Sequence, residues 1–226
     1  KLKKIIKIAY KKKKIVACLI EKGTLQIKKK KVKRFNHKFI FRAEFIKEFI
    51  NQVPKKSKII STTGYTSREL MDVRKKNKLN NGKDFYMVGG MGHSSSVALG
   101  YAIQSKNKVF CLDGDGSTLM HLGSLRTIGY LGNKNFKHII LNNNSHESVG
   151  AQLTSASGID FKKLSLSVGY RNFFVIKDKK NIKSKIQSFI KAKGPSLLEV
   201  KISIGSIKNL SRPQNLLKIK DQFMRN

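Results

Sequence analysis

Short apolar runs alternate with amphipathic stretches of about 10–15 residues along most of the chain, and few folds tolerate that rhythm. The spacing predicts helix over 2–13 and strand over 14–20. It predicts helix over 40–52, strand over 58–62, helix over 66–76 and strand over 85–88. Helix over 93–105, strand over 108–112, helix over 117–131 and strand over 137–141 follow. Helix over 160–168, strand over 173–176, helix over 179–192 and strand over 196–202 complete the series. Strands separated by helices imply parallel βαβ units, so the expectation is an α/β doubly wound, mainly parallel sheet with helices on both faces. Apolar positions agree with it. Leu2, Ile5, Ile6 and Ala9 share one helix face, as do Phe41, Phe45, Ile46 and Phe49. The lysine-rich stretch 26–38 reads as a linker, 39–205 as one domain and 206–226 as a C-terminal tail. The helix and strand of residues 1–25 then stand outside that domain.

The chain has 226 residues and 39% hydrophobic residues, enough for one sizeable core. Lys and Arg number 48 against 13 Asp and Glu, a formal net charge of +35. Such an excess ordinarily points to nucleic acid or an anionic surface. Here the lysines are spread along the whole chain, with Ile and Asn abundant and Arg scarce, which reads as broad compositional drift without a specific nucleic-acid partner. Cys18 and Cys111 lie in apolar runs and read as core residues of a reducing compartment, the cytoplasm. No apolar run of about 18 residues marks a membrane span.

In a doubly wound sheet, ligands bind beyond the carboxyl ends of the strands. Four of those ends are unusual: STTGYTSREL (61–70), VGGMGHSSS (88–96), DGDGSTL (113–119) and LNNNSHESVG (141–150). Gly114-Asp115-Gly116 is followed by no Gly-Lys-Ser/Thr, so it is not a P-loop. Leu119 stands where a dinucleotide fingerprint needs its third glycine. A tight turn that aims backbone N–H groups from a helix start suits phosphate. An aspartate in that turn repels phosphate unless a cation lies between them, so Asp115 asks for a divalent ion such as Mg²⁺. Taken singly, Asp115 also reads as a helix N-cap and the asparagine run as a turn. From Ser117 to Leu141 is 25 residues, one helix and one strand, which brings Asn142 and Asn143 beside Asp115.

Gly-Asp-Gly followed after that interval by Asn-Asn resembles the motif of thiamine diphosphate-dependent enzymes. The resemblance implies thiamine diphosphate and Mg²⁺ as cofactors, with metal ligands from the Asp115 and Asn143 side chains and the Ser145 carbonyl. It implies cofactor contacts at Gly90, Met91, Gly92, Gly114, Asp115, Gly116, Ser117, Asn143, Ser145 and His146. Met91, between glycines, would prop the cofactor in its bent shape. Within the family, STTGYTSREL, MGHSSSVALG, GDGSTLMHLGSL and NNNSHESVG are most similar to the phosphonopyruvate decarboxylases, with the sulfopyruvate decarboxylases as near neighbours. Asn144-Ser145 is bulkier than the residues expected there.

The resemblance implies decarboxylation of a small 2-oxo acid, phosphonopyruvate giving phosphonoacetaldehyde and CO₂. His93 and Arg68 are the candidates for the substrate's second anionic group, and His146 for a proton donor. His93 also reads as a helix cap and Arg68 as a surface residue. In this family a pyrimidine-binding domain precedes the diphosphate-binding one and carries the glutamate that activates the cofactor. Residues 1–25 resemble the end of that domain. None of Glu21, Glu44, Glu48, Glu69, Glu147 and Glu199 stands in the activating context. The expectation is therefore a chain completed by a pyrimidine-binding domain of the same gene product or of a partner, in a homo- or hetero-oligomer. A basic nucleic-acid-binding α/β domain and a non-catalytic remnant stay open beside the enzyme. If the charge is drift, binding to duplex DNA in a filter or polarisation assay will be weak, indifferent to sequence and steeply lost as salt rises.

Overall fold

The computed structural model describes residues 2–13, 15–21, 23–25, 39–79 and 83–225. The chain divides into two compact units, Lys1–Phe35 and Asn36–Asn226. In the first, α1 spans Leu2–Lys12 and buries none of its residues. Residues 15–20 form neither helix nor strand, so the strand expected over 14–20 is absent among the described residues. A strand exists only by pairing, and an apolar β-branched run does not supply its own partner. The linker expected over 26–38 lies outside the described residues.

The second unit follows the predicted alternation. Its elements are β1 (Ile40–Phe41), α2 (Arg42–Ile50), β2 (Lys58–Ser61), α3 (Tyr65–Lys76), β3 (Asp84–Tyr86) and α4 (Ser94–Gln104). Next come β4 (Val109–Gly114), α5 (Asp115–Met120), α6 (Ser124–Leu131), β5 (Phe136–Asn142) and a small β6–β7 hairpin (Ser145–His146 and Gln152–Leu153). Then follow α7 (Phe161–Ser167), β8 (Asn172–Ile176), α8 (Ile182–Lys191), β9 (Ser196–Ser203) and α9 (Leu216–Arg225). The main sheet runs β1-β9-β5-β4-β2-β3, with β8 also on β9, and every pairing in it is parallel.

Strand order explains where a ligand would sit. From β2 the chain moves outward to β3, then crosses back over β2 to β4 and continues the other way to β5. The carboxyl ends of β2 and β4 therefore flank a topological switch point, where loops diverge and leave a crevice.

Alternation along the strands builds two cores. Phe110, Leu112, Ile139 and Leu141 face α2, α3 and α8, where Phe45, Phe49, Leu70 and Phe189 are fully buried. Cys111, Ile140 and Leu197 face the other way, toward Ala98, Leu125, Ile128 and Phe161 of α4, α6 and α7. A sheet covered on both faces needs near-continuous apolar strands, and all seven residues of β5 are buried.

Residues 40–41, expected within the helix over 40–52, instead pair with β9 as strand β1, and the β6–β7 hairpin was not expected; two further differences shape the fold. The single helix foreseen over 117–131 is broken into α5 and α6 by a turn at His121–Gly123, closed by the Ser124 N–H on the His121 carbonyl at 2.9 Å. The break lets α5 serve the end of β4 while α6 swings onto the 168–169 loop. There a side chain on Gly129 would meet the Val168 carbonyl at 2.0 Å. The tail, moreover, contains helix α9. Its Ile219 packs on the first core and its Phe223 is buried in the second, so it straddles β3, the edge strand. Covering an edge removes a row of unpaired backbone groups from solvent.

A buried lysine fastens that helix. Lys58, at the start of β2, gives its ammonium to the Phe223 carbonyl and lies 4.5 Å from the Phe223 ring centroid and 5.7 Å from that of Tyr101. Burial, with the nearby Lys83 charge, pulls its pKa down, against the pull of Asp84. Phe223→Ala removes the ring and leaves the ammonium beside a void. Amides of α9 are then expected to lose at least tenfold in hydrogen-exchange protection while those of β4 and β5 keep theirs.

Candidate cofactor site

Three strand ends meet at the switch point around a cleft of about 310 Å³. The first is the turn after β2. Gly64 adopts φ +92, and a side chain there would come 2.9 Å from Ser148 Oγ, so the turn approaches the 145–149 loop closely. The second is the turn after β4, where Gly114 is extended and Asp115 opens α5. The third is the asparagine run after β5.

Ser117 ties the first two of these to the loop after β3. Its hydroxyl lies 2.9 Å from Thr62 Oγ1, and it accepts the Gly92 N–H at 3.1 Å. One hydroxyl thus joins the loops after β2, β3 and β4. Gly92 has φ +89, and a Cβ there would sit 2.4 Å from the His121 ring and 3.2 Å from the Ser117 carbonyl. Gly116 is equally constrained, because a Cβ would meet His146 Cε1 at 2.5 Å. The His146 ring therefore lies directly on the Gly-Asp-Gly turn.

Asp115 is 2% exposed, and its Oδ2 accepts the Thr154 hydroxyl at 2.5 Å. Burial pushes its pKa up, partly offset by Thr154 and by backbone N–H groups that include those of Asn143 and Gly116. The three asparagines divide their work. Asn142 is buried and donates to Glu199 Oε1 at 2.7 Å, and its Oδ1 accepts the Asn144 N–H at 3.2 Å. Asn143 lines the cleft; its Oδ1 accepts the Ser145 N–H at 3.0 Å and its Nδ2 donates to Glu147 at 3.1 Å. Asn144 takes the left-handed conformation, φ +56, that reverses the chain into β6.

Of the residues singled out from the sequence, Arg68, Met91, Gly114, Asp115, Gly116, Ser117, Asn143, Ser145 and His146 line this cleft. Gly90, Gly92 and His93 do not. Gly90 and Gly92 shape the loop through positive φ, and His93 stands exposed with its ring 4.2 Å from that of His121. His93 precedes α4 but makes no side-chain capping bond. Sequence reasoning missed Thr62, Arg42, Glu147 and Arg212, which also line the cleft. The scarcity of arginine was the available signal. Three of the chain's eight arginines line the cleft and, among the described residues, none of its forty lysines does.

The donor set suits a hard cation. A carboxylate, an amide oxygen and a loop carbonyl are the oxygen ligands Mg²⁺ prefers, with room for phosphate oxygens. Ser145 lines the cleft, and its hydroxyl is buried with no hydrogen-bond partner among the described residues.

Residues 62–200 match the model of the thiamine pyrophosphate enzyme family, C-terminal TPP-binding domain. The chain belongs to that family. It is 34% identical over 169 residues to a phosphonopyruvate decarboxylase of Streptomyces viridochromogenes, covering 75% of this chain and 41% of the relative. It is 42% identical over 113 residues to a sulfopyruvate decarboxylase subunit beta of Methanocaldococcus jannaschii, covering 50% of this chain and 57% of that protein. The chain thus spans only part of the length of these relatives. An X-ray structure described as that of a thiamin diphosphate-dependent enzyme of Mycobacterium smegmatis shares the fold, with TM-score 0.58 at 19% identity. It covers 72% of this chain and 32% of that one.

The close fit of His146 on the turn is testable. Gly116→Ala forces the ring away and is expected to cost about 1–3 kcal/mol in urea denaturation. Gly100→Ala, in a helix with nothing within 4 Å of the new methyl, is expected to be neutral or stabilising by up to about 1 kcal/mol.

Proposed function

We propose that this chain is the diphosphate- and Mg²⁺-binding part of a thiamine diphosphate-dependent 2-oxo acid decarboxylase acting on phosphonopyruvate. One observation carries the reading. Asp115 and Asn143, on separate strand ends, line one oxygen-rich cleft whose cations are arginines. In this reading Asp115, Asn143 and the Ser145 carbonyl hold Mg²⁺. Backbone N–H groups at the start of α5 face the diphosphate, and Met91 supports the rings.

When bound, the cofactor supplies the electron sink that lets a 2-oxo acid lose CO₂. The chain's own groups do the rest. Arg42 is neutralised by Glu69 and Glu147, so it contributes little free charge. Arg68 and Arg212 are in none of the ion pairs formed among the described residues. Both line the cleft, where a guanidinium fork can hold a phosphonate through two parallel hydrogen bonds. In this reading His146, which lies against the turn beside Asp115, would serve as the proton donor. Exclusion of water falls to the loops after β2 and β5 and to the segment carrying Arg212. A sulfonate fits the same forks, and the 42% identity to the sulfopyruvate relative over its shorter match supports that acid as the second reading.

Calorimetry and a coupled aldehyde assay test the reading. The 226-residue chain, supplemented with a pyrimidine-binding domain, is expected to bind thiamine diphosphate only with Mg²⁺ and to release CO₂ from phosphonopyruvate. Asp115→Ala is expected to abolish the Mg²⁺-dependent binding. Unchanged affinity would return Asp115 to a helix-capping role. Turnover of sulfopyruvate alone would select the second substrate. Bound cofactor without turnover of either acid would leave a non-catalytic domain.

A further inference from the structure

Glu147 lies at the wall of the cleft, yet its carboxylate is turned into the protein. Oε2 accepts from Asn143 Nδ2 at 3.1 Å and from Arg42 Nη2 at 2.5 Å, and Oε1 accepts the Gly205 N–H at 2.7 Å. Arg42 is 4% exposed and gives Nη1 to Glu69 Oε2 at 3.4 Å. Glu69 is fully buried and accepts the Ile207 N–H at 3.0 Å. One arginine thus stands between two carboxylates contributed by α3 and by the loop after β5. Both acids also catch backbone N–H groups of the segment leaving β9.

The contact with Asn143 is the informative one. A carboxamide has the same shape after a half-turn, but the turn exchanges an acceptor for a donor. A cation tolerates only the oxygen. An ionised carboxylate has acceptors alone, so Glu147 fixes the amide's NH₂ edge. The Ser145 N–H fixes its oxygen edge. The amide is left with one orientation. A free carboxylate so close would itself compete for the cation, but Arg42 occupies it.

We propose that Glu147, held by Arg42, is a positioning residue that sets the Asn143 amide oxygen for the divalent cation. The inference rests on the reading of Asp115 and Asn143 as the cation pair. It assigns no contact between Glu147 and cation, cofactor or substrate. Its influence passes through Asn143.

A double-mutant cycle isolates that route. Mn²⁺ binding in the presence of thiamine diphosphate, followed by electron paramagnetic resonance, is compared in the native chain, Glu147→Gln, Asn143→Ala and the double variant. Glu147→Gln is expected to weaken Mn²⁺ binding by about 10–100-fold, the usual effect of removing a ligand's orienting partner. In the Asn143→Ala background the same change is expected to add less than about twofold. Unchanged Mn²⁺ affinity in Glu147→Gln, or a full loss repeated in the Asn143→Ala background, overturns the proposal. Should the Gln variant not fold, Glu147→Asp retracts the carboxylate by one methylene and is read the same way.

A second readout needs no cation. In the metal-free native chain the Asn143 side-chain NH₂ is expected to exchange slowly with solvent by ¹⁵N NMR, and in Glu147→Gln at least tenfold faster. Equal exchange rates would sink the positioning role even if the cation site is real. Absent Mn²⁺ binding in the native chain, with the exchange difference present, would instead retire the cation reading and leave Glu147 as the anchor of that amide.

Discussion

A fully buried carboxylate beneath the turn from β4 into α5 is the interaction on which the rest of the site depends. Asp113 Oδ1 accepts the Gly114 N–H at 2.9 Å. Its Oδ2 accepts the Thr118 hydroxyl at 3.2 Å and lies 3.4 Å from His138 Nε2. The other ring nitrogen of His138 is 2.9 Å from the Tyr170 hydroxyl. Burial pushes the Asp113 carboxyl up, but His138, Ser117 and the Gly114 N–H outweigh it, and the net direction is down. An ionised acid in the core is tolerable only when its lone pairs are used. Here they pin both ends of a turn that cannot otherwise hold two glycines still. Two acids two residues apart therefore do different things, because strand alternation turns Asp113 into the second core while Asp115 begins a helix at the cleft.

From that turn the geometry spreads outward. Ser117 can reach both Thr62 and Gly92 only because α5 starts at a fixed angle, and His146 can lie on Gly116 only because no side chain is there. The parallel sheet sets these turns side by side in register: Gly114 pairs with Leu141, and Ser61 with Leu112. The crevice is a consequence of strand order, and its chemistry a consequence of which residues end the strands.

Elements with their own periodicity were legible in the sequence. The strands over 58–62, 108–112, 137–141 and 196–202 each fall within two residues of β2, β4, β5 and β9 at either end. What depended on distant partners was not legible. Residues 15–20 are as apolar as β5 but lack a paired neighbour among the described residues. The spacing of Ile219 and Phe223 carries a helical signal, yet only the uncovered edge of β3 gives α9 a place to dock. The site divides in the same way. Asp115 and Asn143 announce themselves because glycines and a repeated amide at strand ends are improbable without a purpose. Arg42 and Arg212 sit in unremarkable contexts and Glu147 carries no signal of its own within the unusual 141–150 stretch; only the fold brings them from α2, the loop beyond β5 and the far C-terminal segment to one cleft.

The same contrast accounts for the charge. Of only 13 acids, Glu69, Asp84, Asp113, Asp115 and Glu199 are buried. Each has a defined partner: Glu69 and Asp84 an arginine, Asp113 a histidine, Asp115 a threonine, Glu199 an asparagine. The buried Lys137 is matched too, donating to the Phe189 carbonyl at 3.0 Å and to that of Ala192 at the end of α8, although burial draws its pKa down to about 8. An exposed lysine has water as its partner and costs little wherever it stands. A buried arginine cannot be exchanged so freely. Arg74 holds both oxygens of Asp84, at 2.7 and 3.0 Å, with a planar fork that an ammonium cannot reproduce. The outside of this protein can therefore become almost uniformly basic while its interior keeps a balanced set of acids and guanidinium groups. A net charge of +35 describes the surface and says little about the cleft.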